Sequence, residues 1–107
     1  MKTKDIEIRE VYDGNYEGLS KYIERLINKS HYKLDNNGLL FVGVVMNYKG
    51  KSHKADYTMS RIRPNNGRNR DEEWLLCFRL SYLLQSLAQI SDKEYCKVGV
   101  IIRRLNI

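Results

Sequence analysis

The sequence predicts an α+β protein folded as one domain over residues 1–107. Three observations carry that expectation. Apolar residues recur at helical spacing between Tyr16 and His31, and a second, more apolar helical stretch runs from Asp71 to about Ile90. Between and around them lie four stretches that alternate or are apolar throughout, so the element order reads β, α, β, β, α, β.

The first strand is expected over Lys4–Val11, where Ile6 and Ile8 alternate with Glu7 and Arg9, and Asp13, Gly14 and Asn15 are expected to break it. Leu19, Tyr22, Ile23, Leu26 and Ile27 then form one apolar helical stripe opposite Glu17, Lys21, Glu24, Arg25 and Lys29. Asn15 is placed to cap that helix with its short polar side chain. After the turn Asp35–Gly38, the run Leu39–Tyr48 is apolar on both faces, as in a strand covered on both sides or sitting at a contact. Lys49, Gly50, Lys51 and Ser52 read as a hairpin loop, followed by alternation of Ala55, Tyr57 and Met59 with Lys54, Asp56, Thr58 and Ser60. Pro64 stops that strand. Asp71 is the expected cap of the second helix, with Glu72 and Glu73 at its positive end. Cys96–Leu105 is the last strand, with Val98, Val100 and Ile102 facing inward.

Two βαβ halves joined by a hairpin suggest a ferredoxin-like fold, a four-stranded antiparallel sheet with two helices on one face. The second helix is apolar over well over half its circumference. Either the first helix packs along its flank or a second subunit covers the excess, which makes Trp74, Phe78 and Leu84 candidates for a partner interface, together with Phe41 on the two-sided strand.

Charge is unevenly distributed. Between Lys49 and Arg70 seven cations (Lys49, Lys51, Lys54, Arg61, Arg63, Arg68 and Arg70) face the single acid Asp56, and the remainder of the chain is neutral, so that one fifth of the sequence holds the whole net charge of +6. A concentrated positive field attracts polyanions. The leading expectation is therefore a small non-enzymatic accessory or regulatory protein. Its basic hairpin and Arg-rich loop would contact nucleic acid phosphates, or the acidic surface of a nucleic-acid-handling protein. A different class, a homodimeric protein-interaction module that inhibits or stabilises a partner, rests on the surplus apolar surface. A third reading is a small metal-independent ribonuclease using His53, Lys54, Tyr57, Arg61 and Arg63.

Other signals exclude more than they assign. No nucleotide-binding glycine motif, P-loop, zinc-protease or paired-cysteine motif occurs, and neither His31 nor His53 has a neighbour at metal-ligand spacing, so no cofactor and no metal is expected. Cys77 and Cys96 read as buried thiols, and with no leader or membrane span the expected location is the cytoplasm. The Asn, Lys, Ile and Tyr usage points to an AT-rich genome, bacterial or phage. An RNA-recognition domain would stack bases on the first and third strands, but their outward residues, Glu7, Arg9, Lys54, Asp56, Thr58 and Ser60, include no aromatic ring.

The segment VYDG resembles the small ferredoxin-like nucleases of CRISPR adaptation, which carry an aspartate just after the first strand, as Asp13 does here. That resemblance implies a catalytic Asp13; the alternative is a turn residue ahead of the helix. Small size, a basic hairpin and AT-rich usage also resemble accessory or inhibitor proteins of mobile elements and CRISPR systems.

Overall fold

The computed structural model describes residues 6–29, 38–60 and 68–106, with side chains over 7–29, 39–58 and 76–104. Strand β1 (Ile6–Asn15) leads through a 3-10 turn (Tyr16–Gly18) into helix α1 (Leu19–Lys29). Strands β2 (Gly38–Tyr48) and β3 (Lys51–Ser60) form a hairpin, and helix α2 (Arg68–Ala88) connects it to β4 (Tyr95–Asn106). The four strands make one antiparallel sheet in the order β1-β4-β2-β3. The usual ferredoxin-like order puts the first and third strands in the centre. Here β4 and β2 are central and β1 and β3 are the edges.

Both helices cover one sheet face. Leu40, Val42, Val44 and Met46 of β2 and Val98, Val100 and Ile102 of β4 point to that face. They meet Leu19, Ile23, Leu26 and Ile27 of α1 and Leu76, Cys77, Leu80 and Leu84 of α2 in one buried cluster. The period-2 and period-3.6 patterns thus converge on one core, whose burial drives folding at about 25 cal/mol per Å² of apolar surface removed from water. Cys77 and Cys96 are buried thiols within it, and burial pushes the Cys96 thiol up.

Several local expectations are corrected. Asp13, Gly14 and Asn15 do not break β1, because they pair with Lys97, Cys96 and Tyr95 of β4, and ladder hydrogen bonds outweigh their turn preference. Asn15 stands at the cap position but its side chain makes no capping bond; the turn is fastened instead by Tyr16 N–H to the Glu94 carbonyl (2.9 Å) and Glu17 N–H to the Asp92 carbonyl (3.0 Å). The α1 helix begins at Leu19 rather than Tyr16. The hairpin loop shrinks to Lys49–Gly50, both with positive φ (53° and 78°), the two-residue turn whose twist matches that of the strands. Helix α2 starts at Arg68, so Asp71 lies inside it rather than capping it. It ends where Gln89 turns left-handed (φ 59°) with its N–H donating to the Gln85 carbonyl (2.7 Å).

Candidate interaction surface

Among the described residues no element covers the face of the sheet away from the helices, and its register can be read in rows. From β1 to β3 they run Val11–Gly99–Val45–Lys54, then Arg9–Ile101–Gly43–Asp56, then Glu7–Arg103–Phe41–Thr58. A further row at the hairpin end begins with Asp13 and Lys97. The centre is apolar and the borders are charged. Because Gly43 and Gly99 lack side chains, the face is recessed there. One groove of about 270 Å³ runs past Phe41, Gly43, Asp56 and Ile101, and a second of about 500 Å³ passes Val11, Asn47, Tyr95 and Lys97; both share Val45 and Gly99. The Phe41 ring and a Val45 methyl lean over these glycines, within 3.3 and 3.2 Å of where a Cβ would stand.

Fixed charges frame the groove. Glu7 accepts from Arg103 Nε (2.9 Å) and Arg9 Nε (2.5 Å), and these two bonds, Arg103 first, hold its carboxyl below the usual range. Arg103 also lies 5.6 Å from the centre of the Phe41 ring, a cation–π contact. At the other end the Tyr95 phenol donates to Asp13, which raises its pKa. The aspartate marked by VYDG is therefore a strand residue held by a tyrosine.

A second apolar surface runs along the outside of α2. Tyr82, Leu83 and Leu87 are 63%, 45% and 57% exposed, and Phe78 is half-exposed. Leu84, expected at a partner interface, is fully buried in the core instead, because it faces the sheet while its neighbours at 82, 83 and 87 face outward. Packing of α1 against α2 covers only part of the apolar circumference. Trp74 lies on α2, but its side chain is outside the described residues.

Of the predicted cations, Lys49, Lys51 and Lys54 have described side chains, and these do not share one face. Lys49 sits at the hairpin tip with Nζ 5.2 Å from the centre of the Tyr48 ring. Lys51 has the parity of the helix-covered face and Lys54 that of the open face. Among the described residues the ion pairs are Arg9–Glu7, Arg103–Glu7 and Lys93–Glu17, so these three lysines form none. Arg61 and Arg63 fall outside the described residues. Arg68 and Arg70 begin α2, whose 21 residues span about 30 Å. Its far end lies beside the hairpin tip, where Tyr48 Oη donates to Glu94 of the α2–β4 turn (2.5 Å). The start of α2, which bears Arg68 and Arg70, is thus at the opposite end of that helix from the hairpin tip that bears Lys49.

Of the ribonuclease set, the described members do not share one face. His53 and Tyr57 share the helix-covered side of β3, where Arg79 Nη1 donates to Tyr57 Oη (3.3 Å), and Lys54 points to the opposite face. Among the described residues no three His, Cys, Asp or Glu side chains group as a metal site, and no helix is long and apolar enough to cross a membrane.

Sequence reasoning overlooked Val11, Gly43, Val45, Gly99, Ile101 and Arg103, which make the open face, and the outward Tyr82, Leu83 and Leu87. The segment GVII (Gly99–Ile102) is apolar at both parities, a signal for a two-sided strand as strong as that in β2. An aromatic ring does stand on the open face, but on a central strand rather than on β1 or β3: β4 and β2 are central, with Phe41 and Arg103 side by side. No family model matches the chain, and no curated protein matches it in sequence.

Proposed function

We propose that this chain is a small non-enzymatic accessory protein of ferredoxin-like type that works as a protein-interaction module, occupying and so inhibiting or stabilising its partner. One observation carries the reading: the outward face of the two central strands is apolar at Phe41, Val45 and Ile101, and among the described residues no helix lies over it. A two-layer α+β protein ordinarily makes that face polar, since water covers it. Apolar surface retained there and on the α2 ridge is surface suited to another protein. The test measures light scattering over a concentration series, plus cross-linked capture from source-cell lysate, with wild type, Ile101→Asp and a Tyr82→Ser/Leu87→Ser double variant. A chain that stays monomeric and whose captured proteins are indifferent to both variants refutes the reading.

A second reading keeps the anionic partner, favoured by the exposure of Lys49, Lys51 and Lys54 without ion pairing among the described residues. Contacts of that kind go to phosphates, weaken steeply with salt and carry little sequence preference. Fluorescence anisotropy with DNA and RNA at low and moderate salt decides it: neutralising Lys49, Lys51, Arg68 and Arg70 must weaken binding, and equally poor binding by wild type and variant eliminates it.

A further inference from the structure

We infer that the open sheet face docks onto the same face of a second copy of this chain, about a two-fold axis parallel to the strands and midway between β2 and β4. The inference rests on the interaction-module reading and names its partner.

The rows supply the argument. An axis parallel to the strands lays β4 of one copy over β2 of the other while each row stays at its own level. Ile101 then lies over the other copy's Gly43, and Gly99 lies under the other copy's Val45. Each glycine thus faces a branched side chain of the other copy, beside the Phe41 ring or Val45 methyl that leans over it, and symmetry makes every contact twice. Sheets stacked this way pack about 10 Å apart with their strands crossing at roughly 30°, so rows near the axis stay aligned.

Glycine recesses alone do not select this axis. A two-fold perpendicular to the strands, between the Val45 and Gly43 rows, would also set large residues over small ones. Charge separates the two. The perpendicular axis stacks Asp13 on Glu7 and Lys97 on Arg103, two like-charge contacts that outweigh the one opposite-charge contact it makes, Lys54 on Asp56. The parallel axis brings Arg9 over the other copy's Asp56, an acid without an ion pair among the described residues, and Arg103 over the other copy's Phe41. No like charges meet.

The area suffices for a small specific dimer. Four strands and four rows of side chains make a patch of about 19 by 27 Å, or roughly 500 Å² per copy before side-chain relief is counted. The two copies together bury at least about 1,000 Å², the lower bound of a specific interface. The α2 ridge, on the far side of each subunit, stays outward.

Sedimentation equilibrium tests the inference. Wild type should shift from the 12.7 kDa single chain to twice that mass with rising concentration. Ile101→Asp should abolish the shift. Arg9→Glu and Asp56→Lys, on exposed positions of the edge strands, should each weaken association about tenfold, because the pair is broken twice per dimer. The double variant R9E/D56K should restore it. A wild type that remains at 12.7 kDa at hundreds of micromolar overturns the proposal, as does a dimer indifferent to Ile101→Asp, and failure of the charge swap to rescue overturns the axis. A dimer lost in Tyr82→Ser/Leu87→Ser but kept in Ile101→Asp removes the sheet face while leaving the interaction-module reading intact.

Discussion

Leu84 and Leu87 lie three residues apart on α2, yet the structure assigns them opposite fates: Leu84 is 0% exposed and Leu87 is 57% exposed. Truncating each to alanine separates core from surface on one helix. Leu84→Ala removes side-chain atoms from a packed site against the sheet, and the transfer loss plus the cavity left behind comes to about 3 kcal/mol. Against the roughly 5 to 15 kcal/mol that holds a domain of this size, that is a large fraction. Leu87→Ala removes a side chain that stays mostly in water, and alanine's better helix propensity offsets part of the small loss, leaving under about 1 kcal/mol. Urea unfolding followed by far-UV circular dichroism, at a concentration where the chain is monomeric and with equal slopes for both variants, should place the two at least about 2 kcal/mol apart. Two results would refute the reasoning: a loss below about 1 kcal/mol for Leu84→Ala, meaning its methyls are not packed, or equal losses at both sites, meaning the α2 ridge is covered within the monomer.

Three further outcomes are expected. Tyr16→Phe deletes the buried hydroxyl that donates to the Ser81 carbonyl and ties the β1–α1 junction to α2; it should cost about 1 kcal/mol in the same urea assay. Burial raises the Tyr16 phenol, so an absorbance titration of the folded protein should show a late-ionising tyrosine that this variant removes. Gln89→Gly relieves the side-chain strain of a left-handed helix end and should stabilise by up to about 1 kcal/mol; a neutral or negative change in urea midpoint would mean Gln89 makes a compensating contact. Glu94, lowered chiefly by the Tyr48 hydroxyl and then by the Ser91 N–H, and Glu7, lowered chiefly by Arg103, bind fewer protons folded than unfolded through the carboxylate range. Their stabilisation is fully present above the unfolded carboxylate values and is lost as pH falls through the lowered folded ones. Melting temperature should therefore be flat from neutral pH down to the ordinary carboxylate range and fall below it, with a shallower fall in Glu94→Gln/Glu7→Gln; an unchanged slope would remove both carboxylates as the cause.

Much of the fold is legible from local pattern. The stripe Leu19, Tyr22, Ile23, Leu26, Ile27 and the inward set Val98, Val100, Ile102 are each set by a period that any helix or strand must obey, and all appear in the core except Tyr22, which packs half-buried against it. The strand ends are less legible. Asp13-Gly14-Asn15 carries turn chemistry, but whether it turns depends on partners 80 to 84 residues away in sequence. The candidate surface is still less so, since a face exists only once strands have neighbours.

By itself the sequence determined the element order, the inward residues of α1 and β4 and the charge carried between Lys49 and Arg70, because these follow from side-chain periodicity and composition along one chain. Only tertiary structure decided that β4 and β2 sit in the centre, that Leu84 is core while Leu87 is surface, and that Lys51 and Lys54 lie on opposite faces of the sheet. Those outcomes depend on which strands exchange backbone hydrogen bonds and on which way a helix rolls over a sheet, and such choices are settled by contacts distant in sequence rather than by any local run of residues.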